Sequence, residues 1–102
     1  MFGLDEDLRS NFNKIFASFP EIEKVIIYGS RAKGNYREGS DIDLCLVGDD
    51  LNEAIRKRVW LMLDELNTPY LIDLSVFNQL ESESLIDHIQ RVGEIFYRKP
   101  NE

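Results

Sequence analysis

The chain is poor in the residues that several kinds of protein depend on. Cys45 is its one cysteine, so an intramolecular disulfide and a cysteine metal cluster are both excluded, which suits a reducing compartment. His88 is its one histidine and has no partners for a catalytic triad. Long apolar runs are missing: the longest, residues 59–63, falls far short of the ~20 residues a membrane-spanning helix needs. The acidic start, Leu4-Asp5-Glu6-Asp7, has no apolar segment of signal-peptide length. Positive charge is scarce as well, with 12 Lys and Arg against 19 Asp and Glu for a net charge of −7. Proteins that grip long nucleic acids present a basic face, because phosphate neutralisation supplies much of that affinity. A long nucleic-acid partner is therefore disfavoured, although a local basic patch could hold one nucleotide. The expectation is a soluble cytoplasmic protein with no membrane partner. Its 102 residues fit one domain over 1–102, without a separate substrate domain.

What is present is patterned. Leu4, Leu8, Phe12, Ile15, Phe16 and Phe19 recur at helical spacing and predict an amphipathic helix that Pro20 ends. Residues 24–28 and 42–47 predict strands. A helix over 51–66 is predicted with Asp50 as its cap, Glu53 reaching back in a capping box, and a core stripe of Leu51, Ile55, Val59, Met62 and Leu66. Asn67, Thr68 and Pro69 break it. Residues 70–77 read as a strand, 80–92 as a helix capped by Gly93, and 95–97 as a short last strand. This order is that of an α/β (α+β) protein with one small sheet.

The densest information lies between the first two strands. An apolar run stops at Gly29-Ser30, ten polar and glycine-containing residues follow, and Asp41-Ile42-Asp43 opens the next strand. Residues two apart on a strand share a face, about 6.5–7 Å apart. Asp41 and Asp43 therefore project together, while Ile42, Leu44 and Leu46 point to the core. Two carboxylates on one face repel each other, and a divalent cation between them relieves that cost; hard oxygen ligands suit Mg²⁺ or Mn²⁺. Asp73 is a third acid, embedded in the apolar third strand, where it needs a partner. If that strand lies beside the second, the three acids meet at one site, enough for a two-metal centre. Gly29 permits close backbone approach, Ser30 offers a hydroxyl and an N–H, and a short helix starting at Ser30 or Arg31 would turn N–H groups toward an anion. Arg31, Lys33 and Arg37 add positive charge to the turn. Taken alone, each feature also reads as solvated turn residues or a salt-bridged aspartate.

Gly29-Ser30, ten residues, then Asp41-x-Asp43 resembles the signature of the DNA polymerase β-like nucleotidyltransferases. The fuller string, Gly29-Ser30-Arg31-Ala32-Lys33-Gly34 through Ser40-Asp41-Ile42-Asp43-Leu44, is similar to that of the minimal nucleotidyltransferases, the MNT group. The resemblance implies the nucleotidyltransferase fold, a small mixed sheet flanked by helices. It implies ATP or another nucleoside triphosphate bound through two Mg²⁺ ions, with Gly29 and Ser30 at the β- and γ-phosphates. Asp41, Asp43 and Asp73 would be metal ligands, Asp73 also assisting the acceptor hydroxyl. It implies further an AMP-transferring antitoxin that pairs with a HEPN-type helical toxin in a hetero-oligomer and modifies a tyrosine. Two other readings stay open: an interaction module that neutralises a partner by binding alone, and transfer to a small molecule of aminoglycoside type.

Elsewhere His88 reads as a surface or half-buried residue, and Cys45, though on the Asp41/Asp43 face by parity, as core. Tyr28 and Tyr36 flank the motif and could stack on a base, with ordinary packing the plainer role. The run Val59-Trp60-Leu61-Met62-Leu63 is apolar around more than one helical turn, so part of it could face a partner, and Phe2, Phe96 and Tyr97 could extend that surface.

Overall fold

In the computed structural model, residues 2–34, 37 and 41–100 are described. The elements run α1 (Glu6–Ala17), β1 (Lys24–Tyr28), α2 (Ser30–Lys33), β2 (Ile42–Val47), α3 (Glu53–Asp64), β3 (Ile72–Val76), a 3-10 turn (Phe77–Gln79), α4 (Glu83–Val92) and β4 (Glu94–Arg98). The strands form one mixed sheet in the order β3-β2-β1-β4. β1 pairs antiparallel with both β2 and β4, and β2 pairs parallel with β3. A parallel neighbour requires a crossover, and α3 provides it.

Local chemistry sets the helix boundaries. Asp5 caps α1 by accepting from the Leu8 N–H at 3.0 Å, and Glu6 and Asp7 follow in the first turn, where the helix dipole favours acids. The predicted cap of α3 is corrected: Asn52 holds that position and accepts from the Ile55 N–H at 2.9 Å. Asn caps as well as Asp, and a start at Glu53 leaves Leu51 buried ahead of the helix. Glu53 does not reach back; its carboxylate binds the Arg56 guanidinium at 2.7 and 2.6 Å. Met62 is likewise corrected from core to surface, because Val59 and Leu63, one turn apart, take the inward positions. After α3, Asn67 adopts the left-handed conformation at φ 53° that asparagine tolerates. Ser82 caps α4, and Gly93 ends it with an extended φ of −68°. Glycine is needed there for space: a Cβ would collide with the Ile89 carbonyl and lie 2.5 Å from Ile26 Cγ2.

The sheet has two unlike faces. Val25, Ile27, Ile42, Leu44, Leu46, Leu74, Val76 and Phe96 pack with α1 and α3 in the main core. Phe2 and Phe96 stack there at 6.1 Å between ring centroids; Phe96 is buried and extends no outer surface, while Phe2 and Tyr97 are half-buried. On the other face Tyr28, Cys45 and Ile89 form a smaller cluster with Leu85, Phe77 and Ile26, and α4 covers that part. Cys45 is core, as expected. Among the described residues, no helix is long and apolar enough to cross a membrane.

Candidate active site

Beside α4, the second face of the sheet carries acids. Asp43 lies opposite Tyr28 on β1 and opposite Asp73 on β3, so both carboxylates stand on neighbouring strands at one level. Adjacent strands lie about 4.8 Å apart, and two ionised carboxylates at that spacing repel strongly unless a cation joins them. Asp43 is half-buried, Asp73 is exposed, and Asp41, exposed, immediately precedes β2. The Asp43 carboxyl is pushed above the usual carboxylate range, first by burial, then by the charges of Asp73 and Asp41, with His88 acting in the opposite direction. Tyr28, below it, is pushed up to about 12, mainly by burial and against the hydrogen bond of Ser75.

The turn after β1 comes up against this pair. Gly29 has φ 75° and ψ −153°, a conformation for glycine, and serves as the N-terminal cap of α2. A Cβ at Gly29 would lie 2.5 Å from Asp43 Oδ2. The absence of a side chain therefore lets the Asp43 carboxylate rest against the backbone of the turn. Ser30 opens α2, whose single turn is closed by the Lys33 N–H to the Gly29 carbonyl at 3.1 Å and stopped by Gly34 in the left-handed conformation. The N–H groups that begin any helix have no partner within it, so those of α2 start beside the acids.

The other sequence-predicted residues divide. Lys33 and Arg37 are exposed. Arg31 turns away from solvent: it is 3% exposed, donates to the Phe2 carbonyl at 2.8 Å, and lies over the Tyr70 ring at 4.7 Å. Tyr36 lies outside the described residues. Tyr28 is buried against His88, the rings meeting edge-on at 6.3 Å. His88 is half-buried, as expected, and stands beside the acid site, a place set by where α4 crosses the sheet.

Among the described residues, no three His, Cys, Asp or Glu side chains already form a metal cage. Mg²⁺ seldom needs one; it keeps waters and takes one or two carboxylates with substrate phosphates. Asp43 and Asp73 side by side, with Asp41 close in sequence, are a hard-oxygen donor set of that kind, open to completion by phosphate.

Residues 10–102 match the family model described as polymerase beta, nucleotidyltransferase. A Methanocaldococcus jannaschii protein, provisionally named a protein adenylyltransferase, is 34% identical over 80 residues, covering 78% of this chain and 64% of the relative. The chain thus spans under two thirds of that relative's length. Two solved structures share the fold. A chain of a toxin–antitoxin complex with AMP-PNP superposes with a TM-score of 0.68 at 19% identity, covering 94% of this chain and 75% of its own. A chain of the Shewanella oneidensis complex of a tri-AMPylated HEPN toxin with an MNT antitoxin gives 0.67 at 16%, covering 94% and 74%. At these identities the likeness is one of fold.

Proposed function

This chain belongs to the polymerase beta nucleotidyltransferase family, and from that premise we propose that it transfers AMP from ATP to a tyrosine hydroxyl of a HEPN-type helical toxin. It would thereby act as the antitoxin of a hetero-oligomeric pair. The observation that carries the reading is the Asp43–Asp73 pair set against a turn in which Gly29 leaves no room for a Cβ. An acid pair that is costly when empty, next to backbone N–H groups, matches the needs of a metal-bound triphosphate.

Mg²⁺, or Mn²⁺ in its place, would supply charge neutralisation for an in-line displacement when bound with the nucleotide as two ions. Asp41, Asp43 and Asp73 would hold it. Gly29 and Ser30 receive the β- and γ-phosphates, and Lys33 adds positive charge at their edge. The acceptor oxygen bonds to the α-phosphorus as the bond to the bridging oxygen of the β-phosphate breaks. Pyrophosphate leaves, and the hydroxyl proton passes to Asp73. The chain's contribution is positioning and electrostatics.

A protein acceptor is supported by the outer side of α3. Trp60, Leu61 and Met62 are exposed, and Leu71, ahead of β3, is 74% exposed. Trp60, Tyr70 and Leu71 line a groove of about 170 Å³. Exposed apolar patches of this kind mark protein contacts. The same patch favours one competing reading, neutralisation by binding alone. Incubation with labelled ATP, Mg²⁺ and the HEPN-type partner separates the two. We expect label on the partner, lost in Asp41→Ala/Asp43→Ala; neutralisation that survives this double substitution with no label in the wild type would overturn the transfer reading.

A further inference from the structure

The motif suggests a phosphate contact at Arg31, yet its side chain is buried behind the turn. α2 has only four residues, too few for a helix to hold itself, and its Gly29 cap supplies no side-chain hydrogen bond. Gly29 reaches its positive φ without strain but can as readily adopt other conformations, so it does not hold the turn by itself. Something outside α2 must therefore fix the turn.

We propose that Arg31 is a positioning residue, and that its guanidinium, bonded to the Phe2 carbonyl and stacked on Tyr70, holds Gly29 and Ser30 in the geometry that receives the triphosphate. Both anchors are themselves fixed. Phe2 stacks on Phe96, which packs with Phe12 and Phe16 in the main core. Tyr70 packs against the same core, and the next residue, Leu71, accepts from the Ile42 N–H at 2.9 Å. Tyr70 thus stands where β2 and β3 begin, the strands that bear Asp43 and Asp73. One side chain ties the phosphate turn to the acid-bearing strands. A planar guanidinium can stack and donate in its plane at once; an ammonium cannot.

This inference rests on the nucleotide site proposed above, and its test separates the two. Affinity for Mg²⁺·AMP-PNP is measured by calorimetry, well below each variant's Tm, on wild type, Arg31→Lys, Tyr70→Leu, the double variant, and Tyr70→Phe. Loss of the planar guanidinium in Arg31→Lys, and of the ring it stacks on in Tyr70→Leu, predicts about tenfold weaker binding in each. The double variant should be no weaker than either alone, because one clamp is broken, and Tyr70→Phe should bind as wild type. A merely structural role would lower Tm and leave affinity unchanged in the folded protein. Wild-type affinity in Arg31→Lys, or in Tyr70→Leu, overturns the proposal; so does additivity in the double variant. Ser30→Ala and Asp43→Asn serve as controls for the site itself. If they weaken binding and Tyr70→Leu does not, only the clamp fails. If they also bind as wild type, or the wild type binds no nucleotide, the site reading fails with it.

Discussion

Strand β2 presents two faces made by opposite rules. Ile42, Leu44 and Leu46 are fully buried against α1 and α3, where each removes apolar area from water. Alternating with them, Asp43 faces Asp73 across the ladder, and only Cys45 on that side is packed away under α4. The first face holds the sheet together; the second carries a repulsion that the first must offset. Stability and function are therefore separable by substitution along one strand, residue by residue.

The largest expected effect is on the polar face. Asp43→Ala should lower the transfer rate by roughly 10³-fold, the scale for losing a preorganised electrostatic contact, while thermal unfolding shows the protein still folded. A wild-type rate would break the comparison. On the opposite face, Leu44→Ala should cost about 3 kcal/mol by leaving a cavity in the core, and lower Tm by more than ~10 °C. Equal Tm losses for Asp43→Ala and Leu44→Ala would show that the two faces are not divided as described.

Gly29→Ala joins the two effects. It forces a side chain into the positive-φ turn and against Asp43 Oδ2, so it should cost about 1–3 kcal/mol in strain and also reduce nucleotide affinity. A Tm loss with unchanged affinity would mean that the turn does not touch the nucleotide.

Asp43→Asn sharpens the contrast further. The folded-state pKa of Asp43 is raised, so the unfolded chain loses this proton at lower pH than the folded one. Ionisation therefore costs stability as pH rises from the unfolded value through the folded one, and the penalty is complete above it. Asp43→Asn should stabilise the unliganded protein at neutral pH by a few °C at most, since solvent screens a half-exposed carboxylate. The gain should shrink in acid, where wild-type Asp43 is itself protonated. A variant less stable than wild type at pH 7 would contradict the repulsion. The smallest change is expected at Cys45, whose thiol burial pushes up to about 11; it should resist a thiol reagent until the protein unfolds.

Much of this division was legible in the sequence. The alternation of Ile42, Leu44 and Leu46 with acids set the strand and its faces, and strands 24–28 and 42–47 were located to the residue. The Gly29-Ser30 turn was legible only through Asp41-x-Asp43 ten residues on, and Asp73 because an acid in an apolar strand needs a reason. What depends on how distant elements pack was not legible. Asn52 displaced Asp50 as the cap because the burial of Leu51 sets the start of α3. From the sequence Arg31 reads as positive charge on the turn; the contacts of its side chain include Phe2 and Tyr70, which come from remote segments. The half-buried state of His88 was expected, but its place beside the acids depends on packing in the same way.

The junction at Gly93 bears on how the protein can change over time. A single residue joins the roof helix α4 to the edge strand β4, and it fits with no space to spare. The roof over Tyr28 and Cys45 is thus anchored like a lintel, not hung on a hinge. Added length at this joint would lift α4 and carry His88 away from the acids. Relatives that diverge in acceptor choice are expected to vary elsewhere, and to keep this corner at its present length.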